Sequence, residues 1–397
     1  MHRLKHTAAV LCALLLALCL TGCTTFDNFV AAFFPGEETT GEVIKIGVFE
    51  PITGSDASDA AEEVKGIELA HELFGTVNGA SVELVYGDNQ SDVEMARTTA
   101  SQLVEQEIKI VLGSYKSTLS LAASETFEDA SIPAICATCT NPLVTQTNEF
   151  YFRVCFIDAY QGISAAKYVT DGLGRSKAVC LKQAGDDYAA AMIEQFQQYM
   201  EKVCGEGCVT VIEYPEGTTD FTYYISRVEM AGADCVFFPC TAMTGDTVLS
   251  QCTNSSLHWI GCSKWSELAA AEGETLPTVK AYLEGVTYVQ DFDLIADNTP
   301  MTETFIKAYK EKYGEDQTPS ENCALGFDAY LLALEGLRTT SDINDGVLIT
   351  SALKSVRNFE GATGYISIDS QGDPAKDVVI EKILNSGTEA VYTAVPD

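Results

Sequence analysis

The sequence predicts an α/β fold of two doubly wound parallel-sheet lobes in series. Three observations predict it. Short apolar runs alternate with segments whose apolar residues recur at helical spacing. The alternation begins again after Tyr151-Phe152-Arg153-Val154. Several apolar runs end in loops of small polar residues, as parallel strands do at the edge where open α/β sheets hold small molecules.

The elements follow in order. Val43, Ile44, Ile46, Val48 and Phe49 make a buried first strand that ends in Pro51-Ile52-Thr53-Gly54. Ala57, Ala60, Ala61, Val64, Ile67, Ala70 and Phe74 mark an amphipathic helix. Asn78-Gly79 turns the chain into a strand at Val82, Leu84 and Tyr86, and a helix follows through Val93, Ala96, Ala100 and Leu103. Ile108, Ile110, Val111 and Leu112 form the next strand, ending in Gly113-Ser114-Tyr115-Lys116-Ser117-Thr118. A helical pattern runs from Ser117 to about Asp129. Ile132-Pro133-Ala134-Ile135 then leads into Cys136-Ala137-Thr138-Cys139-Thr140-Asn141-Pro142.

The second series has helices at 162–171, 189–203 and 221–230 and strands at 178–181, 209–213, 235–238 and 257–261. A further αβ portion, 301–368, must join one lobe or the other. Two adjacent strands thus end in hydroxyl-rich loops, and Ser117 stands where a helix begins. Helix-start N–H groups and hydroxyls suit a carboxylate. Capping of the same helices explains these residues equally well.

The 397 residues suffice for two large lobes. A net charge of −33 speaks against nucleic acid, which needs clustered Lys and Arg. Residues 1–22 read as a leader: a basic start, an apolar run from Ala8 to Leu20 too short to span a bilayer, then Leu20-Thr21-Gly22-Cys23. This looks like a bacterial lipoprotein signal with Cys23 carrying the lipid, and it places the protein outside the cytoplasm on the cell membrane. Residues 23–41 are a tether in which Phe26, Phe29, Val30, Phe33 and Phe34 share one helical face.

Of 14 cysteines, Cys12 and Cys19 leave with the leader and Cys23 is spent. The remainder is odd and cannot all pair. Cys204 and Cys208 are spaced to close a small loop, and Cys136 and Cys139 form a lone Cys-x-x-Cys. Without a second such pair or nearby histidines, a metal is not expected. Dinucleotide, P-loop, nucleophile-elbow and zinc-protease motifs are all absent.

Taken together, the chain resembles the periplasmic-binding-protein type I family, and more closely the leucine/isoleucine/valine-binding receptors of ABC importers. The likeness covers nearly all of 43–397 and rests on the order of several motifs. These are Ile46-Gly47-Val48 with Pro51-Ile52-Thr53-Gly54, Gly66-Ile67-Glu68-Leu69-Ala70, the loop after Gly113, and Ala137-Thr138-Cys139-Thr140-Asn141-Pro142. Phe152-Arg153 with Gln161-Gly162, Asp187-Tyr188, Gly361-Ala362-Thr363-Gly364 and Asp369-Ser370-Gln371-Gly372-Asp373 complete it.

The resemblance implies two lobes, 42–158 plus 291–366 and 159–290 plus 367–397. Three hinge crossovers join them, near 157–160, 289–293 and 366–371. It implies a monomeric, cofactor-free, non-enzymatic receptor whose partners are a small amino acid-like ligand, ABC permease subunits and the membrane. Ser117 matches the serine that holds a ligand carboxylate, Thr138 and Thr140 the second loop, and Tyr188 an aromatic wall.

Departures accompany it. The acid that meets a ligand ammonium falls at Ser263, and family tyrosines fall near Thr241 and Asp59. Asp59 or Asp187 stands in for the acid, or the ligand has no ammonium. Tyr115 and Trp265 are pocket walls or core. A sensory module for a signalling partner, and an enzyme with Cys139 or Cys136 as nucleophile, are the rival readings.

Overall fold

The computed structural model describes residues 40–270, 280–290, 299–375, 378–385 and 387–395. The expected leader, the expected lipidation site Cys23, the Phe26–Phe34 face and part of the expected 289–293 crossover lie outside the described residues.

The first series forms one six-stranded sheet. It comprises β1 (Val43–Glu50), β2 (Thr76–Val77), β3 (Ala80–Asp88), β4 (Ile110–Leu112), β5 (Ala134–Cys136) and β6 (Tyr151–Arg153). The order is β2-β3-β1-β4-β5-β6, parallel throughout except for the β2–β3 hairpin. Ile46 sits opposite both Leu84 and Ile110, so β1 is the central strand. The crossover helices are α1 (Ala57–Leu73), α2 (Val93–Val104), α3 (Ser117–Asp129) and the single turn α4 (Leu143–Gln146). Strands β4, β5 and β6 are only three residues long and buried on both faces, which explains their unbroken apolar runs.

The second series forms a seven-stranded sheet with α5 (Asp158–Lys167), α6 (Asp187–Cys204), α7 (Thr222–Met230), α8 (Ala242–Gln251) and α9 (Ser266–Ala270). Its parallel strands are β7 (Ala178–Gln183), β8 (Val209–Tyr214), β9 (Cys235–Phe238), β10 (His258–Gly261) and β11 (Thr287–Gln290). Strands β12 (Phe359–Gly361), β13 (Gly364–Ile368) and β14 (Pro374–Ala375) make a small antiparallel sheet. Two antiparallel strands, β15 (Val378–Leu384) and β16 (Gly387–Ala394), add to the β11 edge of the seven-stranded sheet. The parallel reading therefore holds for the strands joined by helices and gives way at the chain's end, where a hairpin suffices.

The 301–368 portion joins the first sheet. Helices α10 (Pro300–Tyr313), α11 (Glu321–Thr339) and α12 (Gly346–Lys354) share one hydrophobic core with β1, β4 and α1. Helix α11 is buried along nearly its whole length and crosses α1 at backbone contact. A Cβ on Gly66 would lie 1.9 Å from the Cys323 carbonyl oxygen, and one on Gly326 2.2 Å from that of Glu63. That crossing carries Glu63 into the interior. The Gly361-Ala362-Thr363-Gly364 motif docks on α11 through buried Asp328, which accepts from the Thr363 N–H at 3.0 Å.

Candidate functional site

A cleft of about 420 Å³ opens between the two sheets at the carboxyl ends of their parallel strands. From the first sheet it is lined by Tyr115, Lys116 and Ser117 after β4, by Thr138 and Thr140 after β5, and by Cys155 after β6. Ser263 and Lys264 face them from the loop after β10. Glu321, Asn322 and Leu325 close one side from the start of α11.

Ser117 is the first residue of α3, whose leading N–H groups have no intrahelical acceptor. Its hydroxyl oxygen accepts the Asn141 N–H at 3.2 Å, tying the two loops together. Thr138 donates its hydroxyl proton to Glu63. Thr140 hydrogen-bonds the Asp158 carboxyl, which burial pushes above the ordinary range against the opposing pull of Thr140, Lys264 and Arg153. Tyr115 turns its hydroxyl to Asp59, and burial together with Asp59, Glu63 and Asp56 raises that phenol to about 12.

Behind these loops lie two fully buried carboxyls and a fully buried guanidinium. Glu50, at the end of β1, accepts the Tyr115 N–H at 2.6 Å. It adjoins Glu63, and burial raises both groups, Glu50 well above the usual carboxylate range and Glu63 to about 7. Arg153 donates to the carbonyls of Cys139 and Asn141, the latter at 3.0 Å, and to the Thr145 hydroxyl at 2.8 Å. Its Nε lies 2.7 Å from Asp373 Oδ1. A single side chain thus fixes the Thr140 loop and anchors the Asp369–Asp373 motif to it.

On the second sheet, Gln161 accepts the Ser263 N–H at 2.8 Å. The Lys264 ammonium lies 3.6 Å from the centre of the Tyr188 ring, a cation–π contact that covers this face of Tyr188. Burial raises the Tyr188 hydroxyl, which sits beside Cys262 and Gln161.

The structure brings Ser117, Thr138, Thr140, Tyr115 and Ser263 into one lining, with Tyr188 beneath Lys264. Three candidates fall outside that lining. Trp265 is core: it is fully buried, fills the space left by Gly245 and Gly261, and packs edge-on against Phe238. Thr241 is a helix cap on the exposed surface, its oxygen accepting the Thr244 N–H at 3.3 Å. Asp59 is exposed in the first turn of α1 and meets the cleft only through Tyr115.

Asp187 is likewise exposed, in the first turn of α6. All eleven described cysteines are free thiols, Cys204 and Cys208 included. Cys136 and Cys139 are fully buried, burial raises the Cys136 thiol, and Cys139 donates to the Ser114 carbonyl at 3.0 Å. Among the described residues no cluster of His, Cys, Asp or Glu is placed to hold a metal, and no helix is long and apolar enough to cross a membrane.

The sequence reading missed Lys264 and Glu321. Lys264 lies beside the position it singled out. Glu321 follows the helix cap Ser320 and reads locally as an ordinary first-turn acid, yet it accepts from Gln290 at 2.8 Å across the cleft side.

The family model for periplasmic binding proteins matches residues 43–388. The Leu/Ile/Val-binding protein homolog 2 of Brucella abortus is 25% identical over 359 residues, covering 88% of this chain and 92% of the relative. Among solved structures, the leucine-binding protein LivK of Thermotoga maritima is 28% identical with a TM-score of 0.70, covering 89% of this chain and 99% of that one. A solute-binding protein of an ABC transporter from R. palustris, in complex with benzoate, has a TM-score of 0.68 at 18% identity, covering 89% and 97%, and shares the fold alone.

Proposed function

The chain belongs to the periplasmic binding protein family, and on that premise we propose that it is a lipid-anchored extracytoplasmic receptor that delivers a small carboxylate-bearing ligand to an ABC permease. An amino acid is the first candidate, because the Leu/Ile/Val-binding homolog and the leucine-binding protein cover almost the whole chain. The observation that carries the reading is Ser117. It stands at a helix start inside the cleft, its oxygen takes the Asn141 N–H, and its own proton is left to donate. In this reading lobes 42–158 plus 291–366 and 159–290 plus 367–397 close on the ligand, desolvating a few charge-assisted hydrogen bonds. The permease reads the closed form, and no bond is made or broken.

A second reading, an acid without an ammonium, is favoured by Ser263 standing where an acid would meet that ammonium and by the Lys264 side chain beside it in the lining. Titration calorimetry against the amino acids and small carboxylates tests both. Ser117→Ala weakens the best carboxylate ligand at least several-fold, as loss of a hydrogen bond to a charged group requires. Unchanged affinity removes this site. Tyr188→Ala weakens it too, through lost contact area. Cys23→Ser moves the protein from the membrane fraction to the soluble one if Cys23 is the anchor.

A further inference from the structure

A hydroxyl has one proton, and three of the four hydroxyls that line the cleft from the first sheet turn theirs to carboxylates. Thr138 donates to Glu63, and the hydroxyls of Thr140 and Tyr115 are turned to Asp158 and Asp59. Toward a ligand these oxygens offer lone pairs, whereas Ser117 and the start of α3 offer protons. The first-lobe wall therefore presents both donors and acceptors to a ligand. That combination suits a carboxylate beside an ammonium.

The direction of the Thr138 hydroxyl depends on what stands behind it. Glu50 and Glu63 are both fully buried, and Glu50 Oε1 and Glu63 Oε2 lack a hydrogen-bond donor unless they share a proton. Among the described residues neither forms an ion pair. Among the described residues the surrounding elements supply no compensating cation. Strand β6 contributes Tyr151, whose phenol burial raises well above its ordinary value, the β5 loop contributes Cys139, and the β4 loop contributes Tyr115. Lys116 is committed to Asp56 at the head of α1, and α11 presents the backbone of Gly326. Two carboxyls in such a place share protons rather than ionise together.

We propose that Glu63 is a positioning residue that, acting through Thr138, supplies the negative charge for a ligand ammonium in place of the acid missing from the second lobe, and that taking up the ammonium expels one proton from the Glu50–Glu63 pair to solvent. The exchange of one positive charge for another leaves the buried charge of the site unchanged. When Glu63 is protonated it donates to one lone pair of Thr138 Oγ1, and the Thr138 proton, no longer held by a carboxylate, is free to turn toward the ligand, where it opposes an ammonium. This rests on the reading of the cleft as an amino acid site. Glu63 titrates near 7 because burial raises it, so the ionised form that serves the ammonium gains as pH rises through that value.

The experiment is calorimetry on the whole mature protein with L-leucine, and then each other proteinogenic amino acid, beside 4-methyl-2-oxopentanoate. It is run at pH 6 and pH 8 in two buffers of different ionisation heat. Between those values the ionised fraction of a group titrating near 7 changes about tenfold, so amino acid affinity should rise about tenfold with a fraction of a proton released per ligand. The oxo acid should show neither effect. Glu63→Gln should flatten the pH profile and weaken binding at pH 8. Thr138→Val, which leaves the carboxyl pair intact, should flatten it as well and covers the case in which Glu63→Gln fails to fold.

A pH-independent amino acid affinity in the wild type overturns the proposal. So does a Glu63→Gln profile identical to wild type, or binding of the oxo acid with no binding of any amino acid. If no carboxylate of either kind binds, the receptor reading falls and this inference falls with it.

Discussion

Replacing Arg153 by Met tests how the cleft is held together. The guanidinium is fully buried and serves the Cys139 and Asn141 carbonyls, the Thr145 hydroxyl and Asp373. Methionine fills most of the volume and satisfies none of these groups. Breaking a buried ion pair by removing one partner costs about 3–5 kcal/mol. The Asp373 side chain is 16% exposed and regains some water, which places the loss toward the lower end, about 3–4 kcal/mol. With a urea slope of about 2 kcal/mol/M, the unfolding midpoint of the first lobe should fall by about 1.5–2 M. The two tryptophans allow a clean assay, because Trp259 and Trp265 both lie in the core of the second sheet. Far-UV circular dichroism reports both lobes and tryptophan fluorescence reports the second alone. The dichroism transition should split or move early while the fluorescence transition moves much less. A midpoint shift under about 0.3 M, or equal shifts in both signals, refutes the assignment of Arg153 as the clamp of the Thr140 loop.

Two further outcomes follow from the same interior. Glu63 is raised from 4.5 to about 7, so the folded state holds its proton more tightly than the unfolded chain. The resulting stability is full below about pH 4.5 and is lost as pH rises through about 7, a difference of about 3 kcal/mol at most. Wild type minus Glu63→Gln, measured by urea denaturation from pH 4.5 to 8, should show that loss; a flat difference rules it out. Iodoacetamide should label half-exposed Cys204 and Cys252 first and reach Cys136 and Cys139 only on unfolding. Rapid labelling of Cys139 in the native protein would revive the nucleophile reading.

The sheet edge that carries the site was legible because strands buried on both faces advertise themselves as unbroken apolar runs, and the loops after β4 and β5 follow directly. Ser117 was legible for the same local reason, a hydroxyl at a helix start. Thr241 and Trp265 show where local reading stops. A threonine three residues before Thr244 serves a cap as well as a ligand, and the hole that receives Trp265 is made by Gly245 and Gly261, neither of which signals a cavity by itself.

The polarity of the cleft was further out of reach. Thr138 reads as a donor in the sequence and becomes an acceptor only because Glu63, 75 residues upstream, stands behind it. Glu63 stands there because Gly66 and Gly326 let α1 and α11 touch; a side chain at either position would meet backbone at about 2 Å and push the helices apart. Residue types at a site are thus written locally, whereas which of them give protons and which receive them is decided by tertiary partners. Two receptors with the same loop sequences will bind different head groups if the carboxyls behind those loops differ.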